Sequence, residues 1–214
     1  MDHGVKRSRL SRAESQAATR ERLLAAARAA VVRQGFAGAS VRDIAEAAGF
    51  SQGAFYSNFE SKEDLLLALL AQHMDEEADR LGAVIDIAER QGQDVMLGLD
   101  AWAEELNSDV DWSMLGLELQ LHANRSANFA ESYRTVRAKH RQRLGDLVAR
   151  FFAALGLAPP APPHQLASAF MAMAHGLALE RDHDAEAPAG RLILTFLKGL
   201  IASAGPQSHQ DTTA

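Results

Sequence analysis

Apolar residues recur every three or four positions along most of this chain, and this spacing predicts helices. The pattern is interrupted by a proline-rich connector that contains Pro159, Pro160, Pro162 and Pro163. Strand-like alternation is missing over any useful length, so we predict an all-α fold. The predicted helices cover residues 19–34, 41–48, 52–58, 61–90, 94–106, 112–123, 128–155, 164–180 and 189–203.

The second and third predicted helices are short and closely spaced. Ser40 is followed three residues later by Asp43, a pattern that caps a helix N-terminus. Gly49 stands where a left-handed residue ends a helix, and Ser51 is an N-cap for the next one, which buries Phe55. These features also suit an ordinary pair of helices, but their conjunction favours a helix-turn-helix, which places its second helix in the DNA major groove.

Residues 19–65 resemble the DNA-binding domain of the TetR family of transcriptional regulators. The resemblance is carried by ERLLAAARAAVVRQGFAGAS in the first helix, by DIAEAAG, and by GAFYSNFESKEDLL. The family pattern after the recognition helix is met by Tyr56, Asn58, Phe59 and Lys62. The resemblance implies a dimeric repressor with an effector pocket among its later helices.

The candidate DNA contacts lie on the two short helices and at the start of the fourth. Gln52 and Ala54 face outward on the third helix and are candidates for base contacts. The resemblance implies that Lys62 binds a phosphate and that Tyr56 contacts the backbone or a thymine methyl. The full predicted set is Ser40, Arg42, Ser51, Gln52, Gly53, Ala54, Tyr56, Ser57, Asn58 and Lys62.

The net charge of −6 is unevenly divided along the chain. Residues 1–62 contain ten Lys and Arg against six Asp and Glu, a balance of +4, and the remaining residues contain twelve against twenty-two, a balance of −10. Because phosphate attraction acts over about one Debye length, roughly 8–10 Å, local charge decides where DNA binds. This division favours DNA binding by the N-terminal part.

The composition also predicts a domain organisation. We expect a flexible basic arm over residues 1–15, a helix-turn-helix domain over 16–62, a helical effector-binding and dimerisation domain over 63–204, and a disordered tail over 205–214. The arm is either a solvated tail or a segment that reaches phosphates or a minor groove.

The last predicted helices carry more apolar residues than one buried face requires. This excess is explained either by burial within the monomer or by dimerisation, and the resemblance favours dimerisation. A two-fold dimer also reads two half-sites of an operator. The predicted dimer contacts are Phe170, Leu177, Ile193, Phe196, Leu197, Leu200 and Ile201.

Large or adaptable side chains also recur on the helices between residues 94 and 180. Ordinary packing explains each of them, but together they suit a pocket for a small, largely apolar effector, as the resemblance implies. The predicted lining residues are Trp102, Trp112, His122, Phe129, Tyr133, Met171, Met173 and His175.

Other chemistry is less well supported by the sequence. There are no cysteines, no segment resembles a signal peptide, and the longest apolar run is too short to span a bilayer, so we expect a cytoplasmic protein. His183 in the acidic segment 180–186 lacks a second histidine at ligand spacing, so we predict no metal site. No nucleophile–base pair or phosphate-binding loop stands out, and we predict no catalytic residues and no cofactor. The alternatives are a DNA-binding activator or architectural protein without an effector, or an all-helical enzyme.

Overall fold

The computed structural model describes residues 11–92, 94–105, 112–179 and 189–206. It confirms the all-α fold class. Its helices are α1 (Arg12–Gly38), α2 (Val41–Ala47), α3 (Gln52–Tyr56), α4 (Lys62–Gln91), α5 (Val95–Glu105), α6 (Trp112–Ala123), α7 (Ala127–Ala154), α8 (Pro163–Leu179) and α9 (Ala189–Ser203). The chain divides into two compact units, Met1–Leu69 and Leu70–Ala214, and α4 begins in the first and ends in the second.

In the first unit, α1 begins earlier than its apolar pattern predicts. The Ser11 side chain accepts a hydrogen bond from the backbone of Glu14, and the Glu14 carboxylate accepts one from the backbone of Ser11. This reciprocal cap starts the helix at Arg12, inside the predicted flexible arm, whose residues 1–10 lie outside the described part of the chain. Gly35, with φ of 69°, interrupts α1 where its end was predicted.

The core of the first unit is formed by side chains from all of its helices. Leu23 and Ala27 of α1, Ile44 of α2, Phe55 of α3 and Leu65 of α4 are completely buried. Because α2 and α3 are too short to be stable alone, their positions depend on this shared apolar core.

The second unit has a core of side chains from α4, α5, α7, α8 and α9. Phe152 of α7 is fully buried there, and Leu99 of α5 and Leu194 of α9 pack in the same cluster. Gly205 and Pro206, which were predicted to begin a disordered tail, instead form a short strand, β2, that pairs antiparallel with β1 (Leu157–Ala158). This pairing satisfies backbone groups in the segment that follows α9, while residues 207–214 of the tail lie outside the described residues.

A row of ion pairs joins α4 to α7 within the second unit. Lys139 lies 2.7 Å from Asp75, Arg143 pairs with Asp79, and Arg150 lies 2.5 Å from Asp86. Each pair is separated by 64 residues in sequence, so the two helices run in the same direction in constant register. Arg143 also lies 3.0 Å from Asp75, and Arg150 lies 2.8 Å from Glu89. No helix in the described ranges is long and apolar enough to cross a membrane.

Candidate nucleic-acid interface and effector site

The turn between α2 and α3 has the caps that the sequence predicts. The Ser40 hydroxyl accepts a hydrogen bond from the Asp43 N–H at 3.1 Å, and the Ser51 hydroxyl accepts one from the Ala54 N–H at 3.2 Å. Gly49 adopts a φ of 74°, the left-handed conformation that a side chain disfavours. These local interactions fix where α2 ends and where α3 begins.

Two arginines of α1 hold the ends of these short helices. The Arg22 guanidinium donates a hydrogen bond of 2.6 Å to the carbonyl of Ala48 and lies 4.5 Å from the centre of the Phe50 ring. Two residues earlier on α1, Arg20 donates a hydrogen bond of 3.1 Å to the carbonyl of Asn58 and lies 4.1 Å from the centre of the Phe59 ring. A cation is favourable at a helix C-terminus, where carbonyls lack partners within the helix.

Sequence reasoning missed both arginines. Their partners lie 26 and 38 residues further along the chain, so no local pattern connects them. The available signal was a pair of aromatic residues close to the carbonyls to be capped: Phe50 lies two residues after Ala48, and Phe59 directly follows Asn58. Each can stack with a guanidinium, and α1 supplies one at each place.

The predicted DNA contacts fall into two groups in the structure. Gln52, Gly53 and Tyr56 are exposed on α3, and Ser57 is exposed at its C-cap. The Tyr56 side chain is 57% exposed although it follows the fully buried Phe55. An exposed aromatic side chain at this position is available for a partner. Arg42 is also exposed, and it forms an ion pair of 2.9 Å with Glu46 on α2.

The other predicted contacts are engaged at the helix ends. Ser40 and Ser51 are N-caps, and the Asn58 side-chain amide donates a 2.8 Å hydrogen bond to the Ala54 carbonyl. Ala54 and Lys62 are partly buried. Ser40, Ser51 and Asn58 therefore shape the two-helix motif, and the DNA contacts of all five residues stay predictions.

The predicted effector residues are distributed over several helices of the second unit. The His122 ring meets the Phe129 ring edge-on at 4.9 Å, and the Tyr133 hydroxyl donates a 3.2 Å hydrogen bond to the Gly116 carbonyl. His175 of α8 lies against the same glycine, because a Cβ atom added to Gly116 would stand 3.2 Å from its Nε2 atom. α6 and α7 therefore bring His122 and Phe129 together, and α6, α7 and α8 bring Tyr133 and His175 together at Gly116.

The remaining predicted effector residues have other surroundings. The Trp102 indole donates a 3.0 Å hydrogen bond to Glu77 and packs against the core of α4, α5, α7, α8 and α9. Trp112 stacks on His73 of α4 with ring centres 4.0 Å apart. Met171 is buried and Met173 is partly buried. Trp102 thus contributes to packing rather than to the group around Tyr133.

The predicted dimer contacts are also divided. Ile193 is only 8% exposed, and Phe170, Leu197, Leu200 and Ile201 pack against the core of the unit that contains them. Ile193 is therefore better explained by burial within the chain, because its side chain fits the inward face of α9. Leu177 is partly buried, whereas Phe196 is 62% exposed. Exposed apolar surface on α8 and α9 also includes Leu179 and Leu192.

The described residues contain no group of three or more histidine, aspartate or glutamate side chains placed to hold a metal ion. The acidic segment 180–186 lies outside these residues. The fold and the exposed α3 surface define a helix-turn-helix protein with a second, helical unit.

Comparisons identify the family of the N-terminal domain. Residues 23–69 match the family model for bacterial regulatory proteins of the TetR family. The prediction from the sequence is confirmed for this part of the chain: residues 23–69 form a DNA-binding domain of the TetR family, a family of transcriptional regulators.

Two relatives are named as the HTH-type transcriptional repressor AcnR. The chain is 35% identical over 101 residues to the protein from Corynebacterium glutamicum, which covers 47% of this chain and 48% of that one. It is 32% identical over 129 residues to the protein from Corynebacterium diphtheriae, which covers 60% of each. The chain thus spans about half to three fifths of the length of these relatives.

Solved structures support the same fold. A TetR-family transcriptional regulator from Agrobacterium tumefaciens matches with a TM-score of 0.58 and 22% identity, covering 86% of this chain and 98% of that one. The reduced form of NemR from E. coli matches with a TM-score of 0.61 and 19% identity, covering 88% and 99%. At these identities the matches establish the fold of both units.

Proposed function

We propose that this protein is a homodimeric transcriptional repressor that acts in the cytoplasm and leaves its operator when a small effector binds. The observation that carries the proposal is the exposed surface of α3, which the Arg20 and Arg22 contacts hold at both of its ends. The two AcnR relatives are named as repressors, and this supports the sign of regulation.

DNA recognition by this surface follows from its chemistry. Gln52 offers a donor and an acceptor that suit the edge of an adenine, and Tyr56 offers an apolar ring that suits a thymine methyl. Lys62 begins α4 and supplies a cation for a phosphate, which positions the protein without specifying sequence.

Dimerisation is supported by apolar surface on α9. Phe196 is 62% exposed and Leu192 is 38% exposed, and these side chains lie four residues apart on one helical face. Pairing such faces about a two-fold axis buries them and presents two recognition helices to one operator. Phe196→Asp is expected to shift the protein towards monomer in sedimentation. Leu97→Asp on α5, where Leu97 is 70% exposed, is the matched control and should leave the dimer intact.

Effector control requires the ligand to favour one of two conformations. Operator binding selects a spacing of recognition helices of about 34–36 Å, and an effector that prefers another spacing weakens DNA binding by the same coupling energy, typically about 1–3 kcal/mol. Since α4 is the covalent connection between the two units, we propose that it transmits this change.

A selection of genomic DNA fragments with the purified protein tests the proposal. We expect a palindromic operator, and we expect Gln52→Ala to weaken binding and to alter the preferred bases. Gln142→Ala, at an exposed position of α7, is the matched control and should leave binding unchanged. Equal binding of all fragments, or equal operator affinity for both variants, would contradict DNA recognition by α3. An operator affinity that no metabolite alters would favour the alternative of a DNA-binding protein without an effector.

A further inference from the structure

Arg137 lies near the middle of α7 and is partly buried. Arg143 and Arg150 of the same helix pair with carboxylates of α4, and Arg134 pairs with Glu131. Within the described part of the chain, Arg137 has no such carboxylate partner. Burial lowers its pKa, which the nearby charge of Arg141 lowers further. Because arginine still keeps its charge, this side chain carries a desolvated cation that has no counter-ion among the described residues.

The surroundings of Arg137 bring together polar groups from three helices. Tyr133, one turn earlier on α7, is buried and donates its hydroxyl to the Gly116 carbonyl of α6 at 3.2 Å. His175 of α8 reaches the same glycine, and its pKa is lowered by burial and then by the charge of Arg137. The positive potential of Arg137 therefore extends to a histidine that is itself partly buried.

A second polar group in this region also lacks a partner. The Nδ1 atom of His140, three residues after Arg137, is buried and has no hydrogen-bond partner among the described residues. Burial and then the charge of Arg137 lower the pKa of His140 to about 4, so its ring is neutral near pH 7. Asp75, whose charge opposes this shift, is hydrogen-bonded to Lys139 and Arg143 instead of Arg137.

We propose that the effector is a small organic acid whose carboxylate binds Arg137, with Tyr133, His140 and His175 beside it. A carboxylate supplies the counter-ion that the guanidinium lacks and an acceptor for its fork of N–H donors. The ring of Phe129, whose centre lies 6.2 Å from that of Tyr133, provides apolar surface for the rest of the molecule. The regulatory role of this site rests on the effector response proposed above. The site specifies that the small, largely apolar effector carries a carboxylate at one end.

The apoprotein offers a test that needs no effector. Arg137→Gln removes the charge and keeps a polar side chain, and Arg141→Gln, at an exposed position one turn further along α7, removes the same charge elsewhere. Because a binding site holds a group that folding alone does not require, Arg137→Gln is expected to leave the melting temperature unchanged or to raise it. A large fall for Arg137→Gln that Arg141→Gln does not share would assign the residue a structural role and overturn the proposal.

Ligand binding is tested by calorimetry without DNA. The probes are hexanoate beside hexanamide and phenylacetate beside phenylacetamide, each at up to millimolar concentration. We expect an acid to bind about 10- to 100-fold more tightly than its amide, and we expect Arg137→Gln but not Arg141→Gln to remove this preference. Equal binding of acid and amide, an acid preference that survives Arg137→Gln, or no binding by either acid would overturn the proposal.

Operator release is measured separately by fluorescence anisotropy with the selected operator. An acid that binds through Arg137 and releases DNA supports both the anion site and the proposed switch. An acid that binds through Arg137 but leaves operator affinity unchanged supports the site and contradicts effector control. The two conclusions therefore fail in distinguishable ways.

Discussion

Replacing Arg22 by methionine tests how the turn between α2 and α3 is held. The substitution keeps a long apolar side chain beside Phe50 but removes the hydrogen bond of 2.6 Å to the Ala48 carbonyl and the cation above the ring. Arg33, exposed on the same helix, is the control, and Arg33→Met removes the same charge from α1.

The expected loss follows from these two contacts. A hydrogen bond from a charged donor contributes about 1.5–3 kcal/mol, and the lower end applies because Arg22 is exposed over much of its surface. The cation above Phe50 adds about 0.5–1 kcal/mol, of which the methionine sulfur restores a part. We therefore expect the region to be destabilised by about 2 kcal/mol, or roughly a 30-fold rise in the population of locally opened molecules.

Hydrogen exchange of the intact protein measures this opening directly. Amides of residues 41–59 should exchange roughly 30-fold faster in Arg22→Met, while amides of the second unit should keep their rates. Operator affinity should fall with the loss of protection, because α3 is then held less often in its binding geometry. Exchange that rises less than about threefold, or that rises equally in Arg33→Met, would refute the assigned role of Arg22.

Three further changes test other parts of the molecule. Lys62→Ala should weaken binding to every DNA sequence and reduce the slope of affinity against salt by about one, and an unchanged slope in binding measurements over a salt series would contradict a phosphate contact. Arg143→Met removes the ion pairs with Asp75 and Asp79 and should lower the free energy of unfolding in urea by about 1 kcal/mol, whereas Arg134→Met should lower it by only about a few tenths of a kcal/mol. Equal losses in the two variants would contradict a stabilising role for the ion pairs between α4 and α7. The pKa of His140 is about 4 in the folded chain against an ordinary 6.5, so the unfolded chain binds the proton more readily and stability is lost as the pH falls from about 6.5 towards 4. Between pH 7 and pH 5, the wild type should therefore lose about 2 kcal/mol more of its free energy of unfolding than His140→Leu does. Equal losses in urea unfolding would refute this assignment.

The sequence was most informative where structure is decided by neighbouring residues. The caps at Ser40 and Ser51 and the left-handed Gly49 were predicted because each acts within three or four positions of its own place. The start of α1 was missed for a related reason. The capping box of Ser11 and Glu14 is visible in the sequence, but the residues after it lack the apolar periodicity from which a helix is predicted.

Contacts between distant segments were not predicted, although one of them left a signal. The acidic residues Asp75, Asp79 and Asp86 have spacings of four and seven, and Lys139, Arg143 and Arg150 have the same spacings. Matching spacings of opposite charge predict two parallel helices in register, which the structure shows. By contrast, the apolar residues of α9 cover a wide face, and nothing local shows which part of that face points into the core.

The inward position of Ile193 and the outward position of Phe196 show why composition alone could not separate core from dimer surface. Both are large apolar residues three positions apart, and either could face a partner when only the sequence is known. Their burial, 8% and 62% exposed, depends on how α9 is rotated against the core that contains Leu194. A charge at Phe196 therefore tests association, whereas a charge at Leu197, which packs against that core, would test folding as well.

The short α3 explains why long-range contacts matter for the proposed recognition of DNA. A helix of five residues is far below the length at which an isolated helix is stable in water, about 12–15 residues. Its geometry is therefore set by the burial of Phe55, by the Ser51 cap, and by Arg20 and Arg22 at the helix ends. Because these two arginines act on carbonyls and aromatic rings, their substitution should weaken DNA binding through the position of α3, without the unit change in salt slope expected for Lys62. The salt slope thus separates residues that hold the recognition helix from residues that touch the phosphates.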